Sequence, residues 1–241
     1  MELDDTVADA HFALADIMTW TDWDWAGAER EWRPAIELDP GSSVALATYS
    51  HYLKIVRRPD EAMAKIRRAL ELDPFNVMTQ SFYAIDLLFV RRYDDAIAQA
   101  RATLRQQPGA PVAMAALWIA FRAKGMEKEA LAAARDCYAL YGTPELGAAL
   151  DRGFAKGGYS VAMQEAAVVL AAYSRNVNVN PVDVVDLYIE SGEEDRAIEW
   201  LEKGFAARDP NMPYLNLPQY DRLRGDPRFQ DLLRRMRLPR D

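Results

Sequence analysis

Apolar and polar residues alternate along this chain with the period of an α-helix, and the whole pattern recurs at a fixed interval. Two consecutive copies end in RRPDEAMAKIRRALELDP and RRYDDAIAQARATLRQQP, and Pro40, Pro74 and Pro108 are equally spaced. A fixed period of about 34 residues is typical of repeat proteins, in which each helix pair buries its apolar face against the next pair. The prolines end the second helix of each pair because the residue before a proline avoids helical geometry.

The period divides the chain into segments that differ in regularity. Alanine recurs where paired helices must approach closely, at Ala28, Ala62, Ala96 and Ala130. We therefore expect four regular units over residues 9–142, two divergent units over residues 143–209 and a capping segment over residues 210–241. Residues 1–8 open with MELDD, which resembles the ends of later units, and we interpret them as the tail of a missing or degenerate upstream repeat. An ordinary chain start is the alternative.

Three local signals predict where helices break. Gly157 and Gly158 are expected to form a turn between two helices. The polar stretch SRNVNVN at residues 174–180 is the longest turn-like interruption. Asp226 is expected to cap a final helix that begins at Pro227, since aspartate is favoured at the cap and proline at the first helical position.

The second unit carries the repeat pattern most fully. Its matching positions are Leu46, Tyr49, Ser50, Leu53, Ala62, Ile66, Ala69 and Pro74. This pattern resembles the tetratricopeptide repeat (TPR), although Arg57 and Pro59 stand where that motif prefers glycine and an aromatic residue. The resemblance implies an all-α, right-handed superhelical α-solenoid of about six helix-turn-helix units with a C-terminal capping helix. It also implies a scaffold that binds other proteins.

A second resemblance concerns the two ends of the array. The stretches TDWDWAGAEREWRPAIELDP and LPQYDRLRGDPRFQDLLRRMRLP resemble the C-terminal TPR region of large bacterial regulators. In those proteins the region accompanies a winged-helix, serine/threonine kinase or cyclase effector domain. The resemblance implies that this chain is the sensing or docking part of such a regulator.

Composition narrows the classes of partner. The formal net charge is −8 and the pI is near 5.0, which argues against a nucleic-acid backbone or an anionic membrane surface. The longest apolar run without a charge, residues 111–121, is too short to span a bilayer. We expect a cytoplasmic protein, or a periplasmic one if it belongs to a membrane-anchored regulator.

No set of residues predicts catalysis, and we expect neither an enzyme, a cofactor nor a metal site. His11 and His51 lack a histidine or cysteine partner at ligand spacing, and Cys137 occupies a position that favours a small packed residue. In TWTDWDW, Asp22 and Asp24 with the tryptophans are interpreted either as a ligand clamp or as structure. In the favoured structural interpretation, Trp23 and Trp25 fill the core and Asp22 caps the second helix.

The first helices of such units line a concave wall, and we expect a protein or peptide partner to bind there. The predicted partner-binding residues are Ile17, Trp20, His51, Lys54, Ile85, Leu88, Phe89, Ile119, Arg122, Asp151, Asp186 and Glu190. The wall is apolar along the first four units and acidic at its far end, which favours an amphipathic helix or apolar segment with basic residues. Two alternatives remain: a tight superhelix buries these side chains itself, or two copies pair as a homodimer.

Overall fold

The computed structural model describes residues 7–238 of the chain, and this part is all-α. The α-helices are α1 Ala8–Ile17, α2 Trp25–Leu38, α3 Ser43–Ile55, α4 Pro59–Leu72, α5 Val77–Phe89, α6 Tyr93–Gln106, α7 Pro111–Ala123, α8 Glu127–Ala139, α9 Pro144–Tyr173, α10 Pro181–Ser191, α11 Glu194–Ala207 and α12 Pro227–Arg235. From α1 to α6, and again from α8 to α11, each helix packs on the next one along the chain, as the repeat period predicts. Within residues 7–238, every helix is too short or too polar to serve as a membrane span.

One left-handed residue makes the turn between the two helices of each pair. Arg57, Arg91 and Gly125 occupy the equivalent position of successive repeats and have φ values of 64°, 58° and 68°. Gly158 and Gly192 supply the later turns, with φ values of 79° and 84°. Glycine adopts this conformation without the clash that a Cβ causes, which explains the preference of the repeat motif. The arginines keep the same backbone geometry at a cost of about 1 kcal/mol each.

Side-chain caps and prolines set where the helices begin. The Ser42 Oγ accepts a hydrogen bond from the Ala45 amide, and the Asn76 Oδ1 accepts one from the Thr79 amide. At α12, the Asp226 Oδ1 accepts a bond from the Arg228 amide at 2.8 Å. The predicted start of this helix is therefore confirmed.

The predicted cap in the first unit was wrong. A π-helical turn, Met18–Asp22, extends α1, and Trp23 then takes a left-handed φ of 56°. This reversal moves the start of α2 forward, so that Asp24 and not Asp22 caps it, with its Oδ1 accepting from the Gly27 amide at 3.0 Å. Trp23 is 4% exposed, in agreement with the structural interpretation of the cluster.

The helix α9 contains the predicted break. Gly157 and Gly158 leave helical geometry inside it, so it consists of two helices joined by a turn. Gly158 has φ 79° and ψ −161°, a combination that only glycine adopts readily. The polar stretch at 174–180 lies between α9 and α10, as expected.

The described residues form two compact units. Residues 7–113 with 233–238 make unit 1, and residues 114–232 make unit 2. The division of the chain into four regular units, two divergent units and a capping segment stays a prediction. Residues 1–6, which carry most of the expected upstream tail, lie outside the described part.

An aromatic cluster forms the core of unit 1. Trp32 is fully buried, and the rings of Phe12 and Tyr49 lie 5.5 and 5.7 Å from it between centroids. The Trp32 Nε1 donates to the Thr19 Oγ1 at 3.1 Å, so the indole nitrogen has a partner inside the core. The Trp25 Nε1 donates to the carbonyl oxygen of Met236 at 2.8 Å. Helix α2 and the residues that follow α12 are therefore in contact within this unit.

In unit 2, the segment after α11 packs on the last helix pair. It contains two 3₁₀ turns, Met212–Asn216 and Pro218–Leu223. Its fully buried side chains are Met212, Leu215, Leu223 and Phe229. The Arg222 Nη1 donates to the carbonyl oxygen of Ile189 on α10 at 3.2 Å. This segment is built into the fold of unit 2 by apolar burial, each such side chain contributing about 1.5–3 kcal/mol.

Candidate partner-binding surface

The structure divides the twelve predicted binding residues by their exposure. The buried ones are His51, Lys54, Ile85, Leu88, Ile119 and Asp186. The half-buried ones are Trp20, Phe89, Arg122 and Glu190, and the exposed ones are Ile17 and Asp151. The six buried side chains offer almost no surface to a partner unless the helices move apart. The assignment of the twelve to a binding surface stays a prediction.

Three of the predicted residues of unit 1 belong to, or border, a buried polar cluster. The Lys54 ammonium contacts the Asp86 carboxylate, the His51 Nε2 lies 3.3 Å from the Asp86 Oδ1, and the Ser50 Oγ donates to the Asp86 Oδ2. Burial lowers the pKa of both Lys54 and His51. The Lys54 Nζ also lies 5.8 Å from the centre of the Phe89 ring. The ion pair sets two opposite charges between α3 and α5, and each charge offsets part of the cost of burying the other.

Three of the predicted residues of unit 2 are brought together in a second buried network. The Arg122 guanidinium forms an ion pair with Glu190. The Asp186 Oδ1 accepts hydrogen bonds from the Gln219 Nε2 at 2.9 Å and from the Tyr220 hydroxyl at 3.0 Å. Burial raises the pKa of Asp186 to about 7, and the charge of Arg122 opposes that rise. Gln219 and Tyr220 belong to the segment that follows α11, so this segment covers the Asp186 carboxylate.

An open apolar surface is found at the helix starts of unit 1. Val44 and Met78 begin α3 and α5 at equivalent positions of successive repeats, and they are 50% and 53% exposed. Phe75, in the turn before α5, is 77% exposed. We call these three residues the rim patch. Single exposed apolar side chains are common, but several in neighbouring helix starts, two of them one repeat apart, are typical of an interaction surface.

Hydrogen bonds fix the turn that carries Phe75. The Gln106 Nε2 donates to the carbonyl oxygen of Phe75 at 2.6 Å, and the Gln80 Nε2 donates to the carbonyl oxygen of Pro74 at 2.7 Å. The Gln80 Nε2 also lies 3.1 Å from the Gln106 Oε1. An exposed aromatic ring on a braced backbone loses little conformational freedom when it binds.

Carboxylates accompany the rim patch. Asp39 precedes the turn into α3, and Asp73 occupies the same place in the next repeat, before Phe75. Their hydrogen-bond donors are neutral: the Gly41 amide for Asp39 and the Asn76 side chain for Asp73. Two carboxylates therefore lie in the turns that lead into α3 and α5, close in sequence to the rim patch.

His11 and Cys137, two side chains considered above for metal binding or nucleophilic chemistry, are both half-buried. The His11 Nδ1 lies 2.7 Å from the Glu31 Oε2. Burial raises the pKa of the Cys137 thiol to about 12, which leaves it in its unreactive protonated form at neutral pH. Among residues 7–238, no group of three histidine, cysteine, aspartate or glutamate side chains is placed to hold a metal ion.

Known proteins are similar to this chain in structure. A scan against protein-family models finds no match, and a search of curated proteins finds no significant one. Two solved structures cover nearly the whole chain. PilW, described as a widely conserved type IV pilus biogenesis factor, matches with a TM-score of 0.57 and 18% identity over 94% of this chain and 98% of its own. PilF of Pseudomonas aeruginosa matches with a TM-score of 0.53 and 17% identity over 95% and 97%.

Both of these structures are built from tetratricopeptide repeats. The chain has the TPR fold. The helix pairs, the left-handed turn residues and the regular period of this TPR chain agree with that result. The low identity limits the likeness to the fold.

Sequence reasoning missed two features of this TPR chain. It left out Phe75, whose side chain is 77% exposed. The available signal was the repeat spacing, since Gly41, Phe75 and Gly109 occupy the same turn position. It also left out Gln219 and Tyr220, for which no local signal exists because their partner, Asp186, lies far away along the chain.

Proposed function

We propose that this TPR chain is a non-catalytic interaction scaffold, and that the rim patch binds a segment of a protein partner. The observation that carries the proposal is the exposure of Val44 and Met78 at equivalent positions of successive repeats, together with the exposed Phe75 in the turn before α5. The braced turn around Phe75 supports it, because rigid aromatic anchors contribute strongly to binding.

The partner segment is amphipathic and basic. Its apolar side chains, spaced i, i+3, i+4 and i+7, contact the rim patch, and its lysines or arginines lie near Asp39 and Asp73. The rim patch lies at the starts of α3 and α5, two of the helices that are predicted to line the concave groove. Its buried residues, such as Ile85 and Ile119, contribute only if the helices separate.

A defined peptide tests the proposal. The probe is a labelled helix of leucine and lysine with apolar positions at i, i+3, i+4 and i+7, titrated by fluorescence anisotropy. We expect the wild type to bind it and the double variant Phe75→Ser, Met78→Ser to bind at least tenfold more weakly. Leu140→Ser is the matched control, because Leu140 is 56% exposed and lies outside the patch. Equal weakening by the control variant contradicts the proposal.

Self-association is the competing function, since exposed apolar side chains also pair identical chains. A twofold pairing of the rim patch brings Asp39 and Asp73 of one copy close to the same carboxylates of the other copy. Repulsion between these like charges opposes the pairing. Sedimentation equilibrium decides between the two: a dimer that dissociates in the Phe75→Ser, Met78→Ser variant favours self-association. A role as the docking part of a bacterial regulator stays a prediction that rests on the sequence resemblance.

A further inference from the structure

A second surface with the features of a binding site lies in unit 2, apart from the rim patch. It is a cleft of about 570 Å³ between the second half of α9, the end of α10 and α11. This volume falls within the range of about 300–1,000 Å³ that ligand sites occupy. The wall includes Val168, which is 58% exposed, and Ala172, while Tyr188 and Trp200 form buried aromatic parts of the lining.

The side chains that line this cleft carry a net positive charge, opposite in sign to the net charge of the chain. Three cations, Arg175, Arg196 and Lys203, line it together with two carboxylates, although the whole chain carries a net charge of −8. The carboxylates are engaged: Glu199 pairs with Arg196 at 3.3 Å, and Glu193 accepts a hydrogen bond from the Gln164 side chain.

Among the described residues 7–238, two of the cations, Arg175 and Lys203, pair with no carboxylate. The Lys203 ammonium instead lies 3.6 Å from the centre of the Trp200 ring, a cation–π contact that leaves its hydrogen-bond donors available to a ligand. A cleft that combines two available cations with an apolar wall suits a ligand with both a carboxylate and an apolar side chain.

We propose that this cleft binds an acidic segment of a protein partner. A carboxylate of that segment pairs with Arg175 and Lys203, and a neighbouring apolar side chain packs on Val168 and Ala172. A peptide fits better than an enclosed small molecule because the cleft is open: Val168 and the charged side chains reach the surface. The site is independent of the rim patch, which favours a basic segment.

The test uses a labelled nonapeptide of glutamates with a central leucine, titrated by fluorescence anisotropy at low and high salt. We expect binding that weakens with salt and falls at least tenfold in the double variant Arg175→Ala, Lys203→Ala. Val168→Glu, which places a carboxylate on the exposed wall, is expected to have the same effect. The matched control Lys128→Ala, Lys156→Ala removes the same charge outside the cleft and is expected to keep wild-type affinity. Circular dichroism confirms that each variant is folded.

Four results overturn the proposal. They are no binding by the wild type, equal weakening by the control pair, undiminished binding by the cleft variants, and binding of N-acetyl-leucine as tight as that of the peptide. The last result assigns the cleft to a small carboxylate instead. Phe75→Ser, Met78→Ser is expected to leave this peptide's affinity unchanged, so failure here and failure of the rim-patch proposal are distinguishable.

Discussion

The ammonium group of Lys54 on α3 contacts the carboxylate of Asp86 on α5, and both side chains are fully buried. The two residues lie in the first helices of successive repeats. A charge pair at this depth gives α3 and α5 a specific contact in place of apolar packing, and removal of either partner leaves the other charge without compensation.

We therefore expect Asp86→Ala to lower the free energy of unfolding by about 3–5 kcal/mol. The double variant Lys54→Met, Asp86→Leu replaces the pair by apolar groups of similar volume and is expected to be at least as stable as the wild type. Urea denaturation followed by circular dichroism measures both. Equal destabilisation by the single and double variants contradicts this account of the pair.

The carboxyl group of Asp186 predicts a dependence of stability on pH. Its pKa is about 7 in the folded chain and about 3.9 in an unfolded one. Between these values the folded state keeps a proton that the unfolded state releases, so the contribution of this group to stability is fully present below about pH 4 and is lost as the pH rises through 7. The group contributes a loss of about 3 kcal/mol between pH 4.5 and pH 7.

The Asp186→Asn variant isolates this effect. Asparagine keeps an oxygen that accepts from Gln219 and Tyr220 but does not titrate in this range. We expect the difference in unfolding free energy between variant and wild type to shift in favour of the variant as the pH rises from 4.5 to 7.5. Urea titrations at the two pH values measure it, and parallel pH profiles refute it.

The hydrogen bond from the Trp25 indole to the carbonyl oxygen of Met236 predicts a modest contribution to stability. Trp25→Phe keeps an aromatic ring and removes the donor, so we expect a loss of about 1 kcal/mol. Amide hydrogen exchange at Leu238, whose amide bonds the Leu233 carbonyl, is expected to become faster. Tyr93→Phe, which alters an aromatic hydroxyl outside this contact, serves as the control and should leave exchange at Leu238 unchanged.

Substitutions at Ile85 and Met78 test how far the side chains of α5 are exposed to solvent. Both lie on α5, but Ile85 is 7% exposed and Met78 is 53% exposed. Ile85→Ala is expected to destabilise the chain by about 2–4 kcal/mol, because it leaves a cavity. Met78→Ala is expected to change stability by less than about 0.5 kcal/mol. Similar small losses at the two positions, measured by thermal and urea denaturation, indicate that the wall is exposed in solution.

The glutamine brace predicts an effect on binding without a comparable effect on stability. Gln106→Ala removes the bond to the carbonyl oxygen of Phe75 at an exposed site. We expect the leucine–lysine probe to bind about three- to tenfold more weakly, because the turn must then be ordered on binding. Gln99→Ala on the same helix is the control. An unchanged affinity in Gln106→Ala shows that the brace does not serve binding.

The sequence by itself determined the all-α repeat, the start of α12 and the break at Gly157 and Gly158. The helix start and the break depend on residues within about one helical turn of each other, so local rules of capping and turn formation are sufficient, and the repeat is visible directly in the recurring spacing of prolines and alanines. The local rules placed the cap of α2 at Asp22 and not at Asp24. They failed there because the π-helical turn before Trp23 displaces the start of α2.

Only the tertiary structure decided which predicted wall residues are buried. Lys54 and Asp186 read from the sequence as surface charges, yet their surroundings come from Asp86, Gln219 and Tyr220, which lie about a full repeat away along the chain. The repeat period predicts which helices are neighbours but not how closely their side chains interlock. Burial depends on that packing. The sequence therefore did not show that six of the predicted wall residues are buried or that Phe75 is exposed.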